Sequence, residues 1–221
     1  MTVNVKSIET VYNGYRFRSR LEARWAVFFD NAYIKYEYEP EGFEVNWADE
    51  VYRYLPDFYL PELKVYVEVK PSLDKLMEEQ EKISYMIDYR NTPISDGLLI
   101  LGQIPNYQSW YEGGKPIAPK FLFYKWNKGV ESYLAVIDST HGKPKLFLED
   151  YGLNTSAPEL PSSCINDDLT YYAYGMSIDI DGYYFKMSDH DWSNISEDMR
   201  SAYNAARQAR FEHGEKPKKR K

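Results

Sequence analysis

The chain has 221 residues, 43% of them apolar, which is enough for one large domain or one domain with an appendage. A net charge of −7 argues against a protein that coats nucleic acid nonspecifically. The single cysteine, Cys164, excludes an internal disulfide and any multi-cysteine zinc site.

The opening residues, MTVNVKSIET, carry no apolar signal core, and no apolar run approaches the ~20 residues of a membrane span. The chain is therefore expected to be soluble and cytoplasmic, with no membrane partner. Its charge is uneven. Residues 200–221 hold eight Lys and Arg against two Glu, which leaves 19 basic and 32 acidic residues in the first 199. A second basic group, Arg16, Arg18, Arg20 and Arg24, lies near the N-terminus. Each group reads either as a solvated face or as a surface for phosphates. The 22 tyrosines suit a β-rich protein.

In chain order, Val11–Phe17 reads as a hairpin turning on Asn13-Gly14. Ser19 opens a helix with Leu21, Trp25, Phe28, Phe29 and Ala32 on one face. Ile34–Tyr38 reads as a strand. Residues 39–50 form a polar connection with a short strand at Phe43–Val45. Tyr52–Leu60 and Leu63–Val69 read as two β-prone runs joined by a Pro-Glu turn. Ser72 caps a second helix, whose buried face is Leu73, Leu76, Met77, Ile83, Met86 and Ile87. The run Gly97–Gly102 is typical of a strand covered on both faces. Phe121–Trp126, Tyr133–Asp138 and Lys145–Leu148 read as further strands. Residues 151–169 look loop-like. Tyr171–Ile180 and Tyr183–Met187 suggest a hairpin across Asp181-Gly182. A last helix is expected from about Ser193 to Phe211, with Asp191 or Ser193 as its cap. The tail Lys216–Lys221 is expected to be disordered. The fold class is thus α/β, a mixed sheet flanked by helices, divided as a core over 1–127, a packed C-terminal extension over 128–215 and a basic tail over 216–221.

The chemistry concentrates between Tyr54 and Pro71. Pro56-Asp57 precedes Glu68-Val69-Lys70 by eleven residues, and the two runs can lie side by side as neighbouring strands. Val65, Val67 and Val69 alternate with Tyr66, Glu68 and Lys70, so Glu68 and Lys70 share one face. Aspartate is depleted inside strands, so Asp57 between Leu55 and Phe58 asks for an explanation. Two carboxylates and an ammonium held together can bind a hard divalent cation and act on a phosphodiester.

This pattern resembles the PD-(D/E)XK nuclease superfamily, at residue level over 54–71 and in its αβββαβ layout over roughly 10–126. The resemblance implies a Mg²⁺-dependent nuclease, with Mn²⁺ able to substitute. Asp57, Glu68 and the Val69 carbonyl would hold the metal, and Lys70 would assist attack. Several branches add a helix Glu, which here would be Glu22. Ser19-x-x-Glu22 also matches a capping box, in which Glu22 would serve the helix end instead. Gln80 interrupts the apolar stripe of the second helix, and recombination-type exonucleases carry a Gln there with a Tyr four residues on. Here Tyr85 stands five residues on, which departs from that branch. Arg16, Arg18, Arg20, Arg207, Arg210, Lys218 and Lys219 would meet phosphates.

His141, His190 and His213 show no zinc spacing. The arrangement of helix Glu, PD and ExK looks like bacteriophage-encoded and transposase-associated endonucleases. The expected partner is DNA, with RNA open, and a homodimer or recruiting protein is possible. The competing expectation is a non-catalytic binding protein on the same scaffold.

Overall fold

The computed structural model describes residues 8–47, 50–88, 92–105, 111–112, 115–116, 118–126, 129–140, 143–150, 171–173, 177–181, 184–188 and 196–211. Cys164, the three histidines, the 151–169 segment, Gly182, the Asp191 and Ser193 caps and the 216–221 tail lie outside these residues.

Strands Thr10–Tyr12 (β1) and Tyr15–Phe17 (β2) form the expected hairpin. Asn13 and Gly14 both take positive φ, 50° and 89°. That is the backbone a two-residue hairpin turn requires, and Asn and Gly adopt it at least strain. Helix Arg20–Asn31 (α1) follows, with the Ser19 hydroxyl accepting from the Glu22 N–H at 3.1 Å. Its Trp25, Phe28 and Phe29 are fully buried. Removing side chains such as Phe28 and Phe29 from water contributes about 1.5–3 kcal/mol each, so this face fixes where the helix sits.

Three strands come next in the central sheet: Glu37–Tyr38 (β3), Phe58–Leu60 (β6) and Val65–Val69 (β7). Between β3 and β6 stands a separate two-stranded sheet, Phe43–Trp47 (β4) paired with Glu50–Tyr54 (β5). Tyr52–Leu60 is not one strand, because it breaks at Leu55–Asp57. Pro56 has no N–H to give to a ladder, and the chain passes from one sheet to another at that point. The strand at Phe43 is also longer than expected, and that at Ile34 is shorter. The Leu63 strand starts only at Val65, because residues 61–64 turn back, with Lys64 in the left-handed region (φ 57°).

Helix Leu73–Asp88 (α2) then crosses over to Leu98–Leu101 (β8), which lies parallel to β7. Parallel neighbours need such a crossover. The chain continues antiparallel through Ala118–Trp126 (β11), Val130–Thr140 (β12) and Lys143–Asp150 (β13). The sheet order is β13-β12-β11-β8-β7-β6-β3, with Tyr171–Ala173 (β14) added to β11. Two short pairs complete the strands. Tyr111–Glu112 (β9) pairs with Lys115–Pro116 (β10), and Ser177–Asp181 (β15) pairs with Tyr184–Ser188 (β16). The hairpin expected of Tyr171–Ile180 and Tyr183–Met187 thus forms only over its second part, because Tyr171–Ala173 pairs with β11 instead.

Alternation along the strands splits the core in two. Val65, Val67, Val69, Leu99, Leu101, Phe121 and Phe123 face α1 and the last helix, Glu197–Gln208 (α3). Tyr66, Leu98, Ile100, Leu122 and Tyr124 face α2. The sheet is therefore covered on both faces by helices. The division expected at 127/128 falls between the hydrogen-bonded neighbours β11 and β12. Across it, Tyr203 of α3 stacks on Phe28 of α1 with ring centroids 4.4 Å apart. Helix α3 is capped by Ser196 rather than by the residues expected. Among the described residues, no helix is long and apolar enough to cross a membrane.

Candidate active site

The antiparallel register of β6 on β7 pairs Phe58 with Val67. One step further, Asp57 stands across from Glu68, and directly opposed residues share a face. Leu98 and Ile100, which flank Tyr66 and Glu68 on β8, pack toward α2, so Glu68 points to the α2 side of the sheet. Asp57, Glu68, Lys70 and Glu22 are all at least nine-tenths buried. A buried charge needs partners, and each of these groups has them.

Asp57 Oδ2 accepts the Val69 N–H at 2.7 Å, and its Oδ1 accepts from Arg18 Nη2 at 3.1 Å. The Glu68 carboxylate lies 2.7 Å from Lys70 Nζ through Oε1 and accepts the Tyr54 hydroxyl at 2.6 Å through Oε2. Lys70 Nζ also reaches Glu79 Oε2 of α2 at 2.8 Å. Arg18 Nε pairs with Glu39 Oε1 at 2.6 Å. The Glu39 N–H in turn donates to the Asp57 carbonyl at 2.9 Å.

The two roles weighed for Glu22 separate in space. Its N–H completes one half of a capping box with Ser19. Its carboxylate, however, accepts from the Arg18 N–H at 3.0 Å and from the Tyr38 hydroxyl at 2.7 Å, rather than from the cap residue's own N–H. The Glu22 side chain thus faces the cleft that Asp57 and Glu68 also line.

Charge follows from this crowding. Burial first, then the Glu68 and Glu22 charges, hold the Asp57 carboxyl well above the usual carboxylate range, against the Val69 N–H and Arg18. Burial raises the Glu68 carboxyl, against the pull of Lys70 and Tyr54. For Lys70, burial favours the neutral amine, but Glu68 and Glu79 outweigh it and the ammonium is held more firmly than usual.

A cleft of about 800 Å³ opens over these groups. The β4–β5 hairpin forms one wall through Phe43, Arg53 and Tyr54, and α2 forms another through Glu79 and Lys82. Lys82 Nζ sits over the Tyr54 ring, 5.6 Å from its centroid.

The structure thus gathers Glu22, Asp57, Glu68, Val69 and Lys70 around one cleft. Gln80 does not line it; Glu79, one position earlier, does. Of the arginines proposed for phosphates, Arg18 is at the cleft but tied to Asp57 and Glu39. Arg16 pairs with Glu9 away from the cleft. Arg20, Arg207 and Arg210 do not line the cleft either, and Lys218 and Lys219 lie outside the described residues. Sequence reasoning missed Tyr54, Glu39 and Glu79. Tyr54 was within reach, because it opens the motif stretch and shares the α2 side with Tyr66.

Comparison with family models, with curated proteins and with solved structures finds no match to this chain. Among the described residues, no group of three His, Cys, Asp or Glu side chains is arranged to hold a metal ion outright. Arg18 and Lys70 instead lie against the carboxylates of Asp57 and Glu68. The donor chemistry nonetheless fits a hard divalent cation. The side-chain donors are all oxygen, and besides burial it is the Glu68 and Glu22 charges that lift Asp57, a repulsion that a cation would relieve.

Proposed function

We propose that the chain is a metal-dependent nuclease of PD-(D/E)XK type, acting on phosphodiester bonds of DNA as an endonuclease. The observation that carries this reading is the placement of Asp57, just ahead of β6, against the end of β7, where it accepts the Val69 N–H at 2.7 Å, with Lys70 2.7 Å from Glu68. Two further features support it. Glu22 reaches the same cleft from the first helix, and the order α1, β3, an inserted β4–β5 pair, β6, β7, α2 and a parallel β8 is compatible with the αβββαβ layout the resemblance implies.

Asp57, Glu68 and Glu22 would hold Mg²⁺ or Mn²⁺, with the Val69 backbone beside them. Such an ion lowers the pKa of water and offsets charge on phosphoryl oxygens. The rest is done by the chain's own groups. The Val69 N–H fixes the orientation of the Asp57 carboxylate, and the Tyr54 hydroxyl fixes that of Glu68. Lys70, kept as an ammonium by Glu68 and Glu79, would offset the negative charge that a pentacoordinate phosphate gathers. Lys82 and Arg53 line the cleft where a nucleic-acid backbone would enter. The satisfied ion pairs at Asp57 and Glu68 also suit the competing reading, a binding protein that keeps these residues without chemistry.

Single-turnover cleavage of duplex DNA by Lys70→Ala and Glu68→Ala, beside wild type in Mg²⁺, separates the two. The nuclease reading expects a loss of at least about 100-fold with unchanged circular dichroism. Variants that cut at the wild-type rate would refute it.

A further inference from the structure

Both principal carboxylates of the site are held by a cation, and each of those cations has a second carboxylate that stands one step further out. Arg18 bridges Asp57 at 3.1 Å and Glu39 at 2.6 Å. Lys70 bridges Glu68 at 2.7 Å and Glu79 at 2.8 Å. The inner partners are buried, whereas the Glu39 and Glu79 side chains are 29% and 43% exposed. Glu39 also sits in the left-handed region at φ 46°, a conformation that disfavours any residue with a side chain and is kept where the surroundings demand it. Its N–H bond to the Asp57 carbonyl ties that unusual backbone to the site.

A cation that displaces Arg18 from Asp57 and Lys70 from Glu68 would strand two positive charges beside itself unless each had another partner. We propose that Glu39 and Glu79 are positioning residues that take over Arg18 and Lys70 when a divalent cation binds Asp57 and Glu68. The inference rests on the metal-dependent reading above. In the metal-free protein, Arg18 and Lys70 stand in for the cation and relieve the repulsion among the carboxylates. On binding, each side chain keeps its outer contact and yields its inner one. No long movement is required, because both contacts of each cation already exist. Lys70 is thereby freed from Glu68 while still held beside the cleft by α2.

The test is a double-mutant cycle on Mn²⁺ affinity, measured by titration calorimetry on the full chain. Arg18→Met removes the competitor at Asp57 and leaves intact the backbone N–H that serves Glu22. Glu39→Gln removes the outer partner. Arg18→Met is expected to tighten Mn²⁺ binding and Glu39→Gln to weaken it, each by about threefold, the scale of a partly exposed ion pair. In the Arg18→Met background, Glu39→Gln is expected to change nothing, because no cation is left to take over. If Glu39→Gln weakens binding by the same factor in both backgrounds, Glu39 acts only as a distant charge and the proposal is overturned. An unchanged affinity for Glu39→Gln in the wild-type background overturns it equally. The same cycle on Lys70→Met and Glu79→Gln repeats the test on the other pair. If wild type binds no Mn²⁺, or Asp57→Asn does not alter binding, the metal reading itself fails and this inference falls with it. If binding depends on Asp57 but the cycles show no coupling, only this inference fails.

Discussion

Replacing Asp57 by Asn separates a metal site from a structural ion pair, because the two predict opposite responses. Asp57 is 5% exposed and is pressed by the Glu68 and Glu22 charges. An amide keeps an acceptor for the Val69 N–H and removes the charge that burial disfavours. What it loses is the pair with Arg18, whose side chain is 54% exposed, so that loss amounts to about 0–1 kcal/mol. Without metal, the variant is therefore expected within about 1 kcal/mol of wild type. Breaking a buried pair that held the fold together would instead cost about 3–5 kcal/mol. With Mg²⁺ at a hundred times its dissociation constant, wild type gains about 2.7 kcal/mol by mass action. For a chain of 221 residues that raises the melting temperature by roughly 5–10 °C. Asp57→Asn should show almost none of this rise. Thermal unfolding by circular dichroism with and without Mg²⁺ reads both numbers. An equal Mg²⁺ shift in the variant would rule out Asp57 as a metal ligand, and a loss of several kcal/mol without metal would mark it as part of a structural ion pair.

Other expectations concern stability. A Cβ at Gly97 would lie 2.5 Å from a ring carbon of Phe123 and 3.3 Å from Val65, so Gly97→Ala should destabilise by about 1–3 kcal/mol in urea unfolding. Trp25 Nε1 donates to the Gly102 carbonyl at 2.8 Å in a fully buried position. Trp25→Phe leaves that carbonyl without this donor and should cost about 1–3 kcal/mol in the same assay. The Asp57 and Glu68 carboxyls titrate above their ordinary 3.8 and 4.5. The folded state then holds these protons more tightly than the unfolded one. The stability they contribute is full below those ordinary values and is lost as pH rises through the folded ones. Metal-free melting temperatures should carry this falling contribution, and Asp57→Asn should remove the Asp57 part of it.

What the sequence made legible was whatever repeats on a local period. The apolar face of α1, the unbroken run of β8 and most of the α2 stripe could each be placed because burial imposes 3.6-residue or continuous patterning. In α2, Leu76, Ile83, Met86 and Ile87 are buried as expected, but Met77 is exposed. Glu68 and Lys70 could be put on one face because a strand alternates with period two. The break at Leu55–Asp57 was hidden because Tyr52, Tyr54, Phe58 and Leu60 all favour strands, while the fact that they belong to two sheets is a tertiary matter. That β12 and β13 extend the central sheet is equally unwritten in their local pattern, since strand order depends on which edge lies open. Glu39 and Glu79 carry no periodic signal at all. They matter because Arg18 and Lys70 are brought to them from distant or neighbouring elements, and charged residues in a polar connection or on a helix otherwise read as solvated surface. Gln80 drew attention as a polar break in an apolar stripe, yet the neighbouring Glu79 is the one turned toward Lys70.

The central claim is that Asp57, Glu68 and Lys70 make this chain a metal-dependent nuclease. Incubation of wild type and Asp57→Ala with supercoiled plasmid and with linear single-stranded DNA, in Mg²⁺, in Mn²⁺ and in EDTA, tests it most directly. Nicking is expected to need the metal, to stop in EDTA and to be lost in Asp57→Ala. Cleavage that persists in EDTA or in the variant, or no cleavage of either substrate under any of these conditions, would contradict it.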